Sequence, residues 1–297
     1  MQSHLLGALS VAVYKQTYKG YEGRQTAPWS RFLVLTRYSY ARLFQSKFLV
    51  LFMAVCLFFP FACAVFVYIS HNSPFLDALS FRSGTLPEVD GEFFYVYCMV
   101  QGTMAFLLTT LVGPNLIAPD LANGAMSLYL SRPFSRAQYV AGKMTVLLVL
   151  LSLITWIPAA LLYGIQVGCV GWTWAQDHAW LAGSILVGLW VWILSLSLIA
   201  LALSAWVKWK IAAGALILGV FFGGAGFGAA INAILRTHYG SLINLTQVIH
   251  TIWADLFRHD LVVTDLSVGE AWLTLGVTCA LCLWLLAKRV RAFEVVK

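Results

Sequence analysis

The chain has 297 residues, of which 61% are hydrophobic and 10% charged, and its formal net charge is +7. Soluble domains carry roughly 25% charged residues, so this composition excludes a soluble enzyme, a disordered tail and a disulfide scaffold. Aromatic residues make up 14% of the chain, with 12 Trp and 12 Tyr, which is typical of a protein that anchors at two bilayer interfaces. The composition therefore predicts a polytopic membrane protein.

The chain begins with two segments that precede the first apolar stretch. We interpret residues 1–27 as a cytoplasmic extension with no assigned role. Residues 28–47 place apolar side chains at helical spacing, which predicts an amphipathic helix in the inner interface of the membrane. Its cations are Arg31, Arg37, Arg42 and Lys47. A membrane anchor with no further role is the alternative interpretation of this helix.

Residues 48–297 are predicted to form a six-helix transmembrane domain, which makes the fold class all-α. A helix needs about 20 mostly apolar residues to cross the hydrocarbon core. In lipid, the backbone polar groups of a span must be satisfied within that span, which favours helices. The runs also lack the alternation of barrel strands. The predicted spans are residues 48–70, 93–117, 139–167, 180–207, 211–235 and 271–288.

The basic residues predict that both termini lie inside, a topology written N-in/C-in. It puts sixteen of the nineteen Lys and Arg inside and nine of the twelve acidic residues outside. The net positive charge then reflects an asymmetry across the membrane and does not indicate nucleic-acid binding. Ionisable residues are scarce within the spans, which argues against a proton relay, a voltage sensor or an ion-coupled carrier.

The inner loop between the second and third spans, residues 118–138, is too rich in ordered features for a plain connector. We expect Pro119 to begin a short helix with Asp120 near its positive N-terminal end. Ser135 is expected to cap a new helix that enters the third span.

The spans also contain helix-breaking residues. Pro60 and Pro158 predict kinks in the first and third spans. In the fifth span, small residues four apart favour close helix contacts, at a dimer interface, along a translocation path or within one subunit. These residues are Gly219, Gly223, Gly224 and Gly228.

The outer segment 236–270 contains an apolar stripe between residues 242 and 256. It predicts a helix that lies in, or dips into, the outer leaflet. Five of the six His fall outside in this topology, but their spacing matches no metal-binding pattern. The sequence predicts no metal site and no catalytic residue.

The inner loop and its flanks resemble the type-2 permeases of ATP-binding-cassette (ABC) exporters. The matching residues are Gly113, Ile117–Ala118, Gly124, the run from Leu130 through Ser131, Arg132, Pro133, Phe134 and Ser135 to Arg136, and Gly142–Lys143. In two places the chain departs from the family pattern. Asp120 stands one residue later than the usual Glu, and Ala125–Met126 replaces the expected Thr. The resemblance in architecture covers the chain from about residue 28 to its end.

The resemblance implies a transport subunit that moves substrate outward with energy from a separate protein. Two permease chains would pair, as a homodimer or with a sister chain, through the first, second and fifth spans. Each would dock a cytoplasmic ATPase subunit that holds ATP and Mg²⁺. The residues expected to couple to the ATPase are Asp120, Leu121, Asn123, Gly124, Met126, Arg132, Pro133, Arg136 and Lys143.

The chain itself is not expected to be an enzyme, because it has no G-x-x-x-x-G-K-[ST] motif. The apolar spans favour an amphiphilic or lipid-like cargo, and the expected location is the bacterial cytoplasmic (inner) membrane. Membrane lipid and an extracytoplasmic accessory protein are further partners to consider. The alternatives are an ATPase-independent transporter and a membrane scaffold or sensor.

Overall fold

The computed structural model describes residues 30–71, 87–125, 135–259 and 266–289. Throughout these ranges the regular structure is helical and no strand occurs, which confirms the all-α prediction. Six helical stretches are long and apolar enough to cross a membrane, as expected for a multi-pass membrane protein. We number them span 1 to span 6: Lys47–Ser70, Gly91–Ala122, Arg136–Val170, Ala179–Trp206, Lys210–Leu235 and Val268–Arg289.

Several spans are built from more than one helix. In chain order the helices are α1 (Arg31–Leu43), α2 (Lys47–Ser70), α3 (Gly91–Val112), α4 (Pro114–Ala122), α5 (Arg136–Ile154), α6 (Trp156–Val170), α7 (Trp172–Asp177), α8 (Ala179–Trp206), α9 (Lys210–Leu218), α10 (Gly224–Leu235), α11 (Leu245–Leu256) and α12 (Val268–Arg289). A π-helical turn, Gly219–Gly223, joins α9 to α10, and a 3-10 helix, Tyr239–Ile243, precedes α11.

Span 4 forms the centre of the bundle. It packs against spans 2, 3, 5 and 6 and against α11. In its most apolar stretch 72% of the residues are buried, compared with 28% in span 1 and 22% in spans 5 and 6. The peripheral spans therefore turn apolar faces outward, where lipid or another chain must cover them.

The two prolines predicted to kink their spans differ in effect. α2 continues without interruption through Pro60. Span 3 breaks at Thr155, three residues before Pro158, where φ is −109° and ψ is −91°. Proline has no backbone N–H to donate to the carbonyl four residues before it. Span 1 and span 3 therefore each have one carbonyl without its usual helical donor.

The helix expected in the outer segment is α11, and it packs among the spans. Its contacts are with α3, span 4, α10 and span 6. Trp253 is almost fully buried, and its indole N–H donates to the Gly188 carbonyl of span 4 at 3.0 Å. The Trp253 ring meets the Trp192 ring edge-on, with centroids 5.8 Å apart. An apolar helix face is thus part of the core of the bundle.

Candidate functional site

The candidate site lies at one end of the bundle, which we call the basic end. There α1, α4 and the starts of spans 1, 3 and 5 meet around Arg42, Lys143 and Lys210. Successive spans run in opposite directions, so spans 1, 3 and 5 begin at this end of the bundle and span 2 ends at it.

The short helix α4 begins earlier than the sequence suggested. Pro114 occupies its first turn, where a fixed φ is favourable and the missing N–H has no helical partner to lose. Asp120 consequently lies in the last turn of α4, so the prediction that Pro119 starts a helix with Asp120 at its positive end is wrong. Ser204 of span 4 accepts a hydrogen bond of 3.0 Å from the Ala118 N–H, which attaches α4 to the centre of the bundle.

Asp120 and Lys143 form a nearly buried ion pair. Lys143 Nζ lies 2.9 Å from Asp120 Oδ2, and the two side chains are 7% and 12% exposed. The Tyr139 hydroxyl donates to the same carboxylate oxygen at 2.8 Å. Two buried charges are tolerated only when they are paired and hydrogen-bonded. The pair therefore joins the end of α4 to the first turns of α5.

The start of α5 is defined by a capping box. The Ser135 hydroxyl accepts from the Gln138 N–H at 3.2 Å, and the Gln138 side chain accepts from the Ser135 N–H at 3.0 Å. The predicted cap at Ser135 is confirmed. Arg136 is the first residue of α5 and is exposed.

Helix α1 lies against the start of α5. The Thr36 hydroxyl donates to the Gly142 carbonyl and the Tyr40 hydroxyl donates to the Val146 carbonyl, each at 3.0 Å. A Cβ at Gly142 would lie 2.9 Å from the Phe32 carbonyl, so only glycine permits this approach. Burial raises the pKa of Tyr40 to about 12, so its phenol stays protonated, and a hydrogen-bond donor, well above neutral pH.

The other residues singled out at this end have varied environments. Leu121 is half-buried, whereas Asn123 and Gly124 are exposed after the end of α4. Gly124 has a φ of +65°, a left-handed conformation that favours glycine. Arg31 is half-buried, and the cations exposed along the same segment are Arg37, Arg42 and Lys47. Three further predicted residues lie outside the described residues: Met126, Arg132 and Pro133.

A cavity of about 510 Å³ opens beside the ion pair. Its polar wall contains Arg42, Lys143, Lys210 and Asp120 together with Tyr38, Ser39, Ser46 and Asn115. Its apolar wall is formed by Leu35, Leu43, Phe48, Leu49, Leu111, Val112 and Leu116. The sequence places Lys210 before the fifth apolar run, but nothing in the local pattern indicates that the start of span 5 faces α1.

A second, shallower cavity of about 530 Å³ lies beside the last turn of α4. It is lined by Pro119, Ala122, Asn123, Lys208, Trp209, Lys210, Ile211 and Ala212. Trp209 is 77% exposed and Ile211 is 82% exposed. Large apolar side chains with this exposure at the end of a span are suited to contact a lipid or a protein.

The glycines of the fifth span fall into two groups. A Cβ at Gly224 would lie 2.9 Å from the Ile243 carbonyl, and one at Gly228 would overlap the Gly240 carbonyl. These two residues let α10 approach the 3-10 helix closely. Gly219 and Gly223 are exposed, and a Cβ added at either would meet no atom within 4 Å.

At the opposite end of the bundle, a polar cavity of about 410 Å³ is lined partly by His178 and His259. The His259 ring stacks on Tyr95 with centroids 4.5 Å apart, and the Arg258 guanidinium lies 4.3 Å from the Trp180 ring centroid. Within the described residues, no group of three or more His, Cys, Asp or Glu side chains is arranged to hold a metal ion. The two imidazoles pack against aromatic rings.

No family model matches the chain, and no curated protein sequence matches it significantly. The resemblance to ABC permeases therefore stays a prediction that rests on the residues between Gly113 and Lys143 and on the six-span architecture.

Proposed function

We propose that the chain is the membrane-embedded permease subunit of an ABC exporter, powered by ATP that a separate cytoplasmic subunit hydrolyses. The helical architecture with six candidate spans is consistent with this role. The sequence from Gly113 to Lys143 supplies the similarity to the permease pattern. In this proposal the chain sits in a bacterial cytoplasmic membrane with both termini inside and pairs with a second permease chain.

The observation that carries the proposal is the buried ion pair between Asp120 and Lys143. It joins α4, which continues span 2, to α5, which starts span 3. Ser204 attaches the same short helix to span 4. A push on α4 from a cytoplasmic partner would therefore move three spans as one unit, as a coupling element between an ATPase and a permease requires.

The docking surface we assign to the ATPase is the shallow cavity beside α4. Trp209 and Ile211 give it an exposed apolar centre, and Lys208 adds a positive charge to its wall. Arg136 adds an exposed positive charge to the basic end, where it is the first residue of α5. Apolar anchors surrounded by charged residues are typical of protein interfaces. An acidic rim on the ATPase would complement this surface.

The proposed dimer uses the outward faces of the peripheral spans. Spans 1 and 5 are the least buried together with span 6, and Gly219 and Gly223 lie open on span 5. Small residues in such a position let a second helix approach closely. The cargo we propose is amphiphilic or lipid-like, because the spans offer apolar faces with few ionisable groups.

The test is purification of the tagged full chain from its native host in a mild detergent, with the copurifying proteins identified and counted. We expect a P-loop ATPase in stoichiometric amount and two permease chains in each complex. Trp209→Asp and Arg136→Glu should each lower the amount of bound ATPase while insertion and yield stay normal. The matched control is Arg236→Glu, which reverses an exposed charge at the other end of span 5.

A chain that purifies without an ATPase would contradict the proposal and favour a stand-alone transporter or scaffold. Equal loss of ATPase in the Arg236→Glu control would remove the assignment of the docking surface. The cargo is tested separately by stimulation of ATPase activity. If a charged sugar polymer stimulates hydrolysis and amphiphiles do not, the amphiphilic cargo is wrong.

A further inference from the structure

The large cavity at the basic end has a composition that suits an amphiphile. Its polar wall carries three cations and one carboxylate, and that carboxylate, Asp120, is already paired with Lys143. Arg42 and Lys210 have no carboxylate partner among the described residues. Two positive charges of the cavity are therefore not balanced by any carboxylate within the part of the chain that the structure describes, and they lie next to a wall of leucine, valine and phenylalanine side chains.

The depth of the cavity is set by the spans around it. Span 1 begins at Lys47 and span 5 begins at Lys210. The cavity therefore lies at the ends of the apolar spans, where they join the more polar segments outside them. In a bilayer this is the level of the lipid headgroups. The N-terminus of α2 forms part of the wall, with Ser46 as its cap, and adds the positive end of a helix dipole.

The cavity also continues onto a surface that can hold an acyl chain. Phe48 lines the cavity and is 63% exposed, and Leu51 is exposed one turn further along α2. A headgroup held between α1 and span 5 would place its chains along this outward face of span 1. A volume of about 510 Å³ falls within the range of small-ligand sites.

We propose that this cavity binds the phosphate-bearing headgroup of an anionic membrane lipid. Arg42 and Lys210 contact the phosphate, and Ser39 and Asn115 supply neutral hydrogen-bonding groups. Lys143 contributes less, because Asp120 already neutralises it. The bound lipid fastens α1 to the starts of spans 1 and 5. This inference does not depend on the permease function, since it needs only this chain and a bilayer.

The test is lipid binding to the purified full chain, measured by native mass spectrometry in a neutral detergent. The probes are dioleoylphosphatidylglycerol, dioleoylphosphatidylcholine and inorganic phosphate. We expect one phosphatidylglycerol to bind more tightly than phosphatidylcholine. Combined Arg42→Gln and Lys210→Gln should weaken phosphatidylglycerol binding about tenfold to thirtyfold, because each removes one phosphate contact.

The matched control combines Arg37→Gln with Lys208→Gln. These cations are on α1 and in the turn before span 5, and neither lines the cavity. The control should bind phosphatidylglycerol within about twofold of the starting protein. Equal weakening in both double variants, or no weakening in the first, would overturn the site. If inorganic phosphate binds as tightly as phosphatidylglycerol, the ligand is a free phosphate and the lipid assignment is wrong.

Discussion

The side-chain amide of Gln101 donates a hydrogen bond of 2.9 Å to the main-chain carbonyl of Cys56. The same nitrogen donates to the Ile154 carbonyl at 2.5 Å. Cys56 precedes Pro60 by four residues and Ile154 precedes Pro158 by four, so these are the carbonyls whose helical donors the prolines remove. One glutamine on span 2 thus donates to both carbonyls that lack a helical donor, one in span 1 and one in span 3.

Replacing Gln101 with Met should destabilise the fold. The variant keeps a similar volume but leaves two buried carbonyls without a donor, which costs about 1–3 kcal/mol. The measurement is the thermal unfolding midpoint of the purified chain in detergent. The control is Thr103→Val on the same helix, which removes an exposed hydroxyl bonded within its own helix, to Met99.

A cycle with the prolines separates this mechanism from lost packing. Pro60→Ala with Pro158→Ala restores a backbone donor in each span. In that background, Gln101→Met should cost clearly less than in the starting protein. An equal cost in both backgrounds would mean that the carbonyl contacts contribute nothing.

The Asp120–Lys143 pair predicts a strongly non-additive double variant. Lys143→Met leaves the Asp120 carboxylate in a poorly solvated site with Tyr139 as its hydrogen-bond donor, and it should cost about 2–4 kcal/mol. Adding Asp120→Leu removes the unpaired charge and should recover part of that loss. Unfolding in denaturant gives both values. Additive single effects would show that the two groups do not interact.

The close approach of α11 to α3 predicts that Gly102 tolerates no side chain. A Cβ at Gly102 would overlap the Trp253 ring, so Gly102→Ala should destabilise the chain by about 1–3 kcal/mol. Trp253→Phe in the same chain shortens the ring system and should recover part of the loss. Gly183→Ala is the control, because nothing lies within 4 Å of its Cβ position, and it should leave stability unchanged or raised.

The two groups of glycines in span 5 should respond differently to substitution. Gly228→Ala places a methyl group on the Gly240 carbonyl and should lower the unfolding midpoint of the single chain. Gly223→Leu meets open space and should leave that midpoint unchanged while lowering the dimer fraction measured by cross-linking in membranes. A dimer fraction unaffected by Gly223→Leu would leave this residue without a role in the dimer interface.

His250 predicts a pH dependence of stability. Burial in α11 lowers the pKa of His250 below 6.5. At a pH between the folded and the unfolded pKa, the unfolded chain is therefore protonated at this residue and the folded chain is not. The free energy of unfolding should therefore fall as the pH drops below 6.5, until the lowered folded pKa is reached. His250→Gln should flatten this part of the profile. Stability at about pH 8, where the imidazole is neutral in both states, gives the packing cost of the substitution. An unchanged profile in the variant would contradict the prediction.

The candidate site could be predicted from the sequence only where the signal was local. The Ser135 cap depends on residues three positions apart, and the structure has it as expected. Pro119 predicts a helix start at Asp120, but Pro114 carries the same signal five residues earlier, and the helix begins there. The partner of Asp120 is a lysine 23 residues away, Lys143. Local pattern carries no information about a contact at that separation.

An apolar run in hydrocarbon must satisfy its own backbone hydrogen bonds, and only a helix does so, so the order of amino acids alone predicts the six spans and the all-α class. The packing of the helices against one another sets which elements meet. It placed α11 against Gly102 and Gly188, and it brought Gln101 to the carbonyls that two distant prolines leave open. It also brought Arg42 and Lys210 to one cavity. These contacts depend on how the helices pack, and packing is set by the shapes of surfaces that are far apart in the chain.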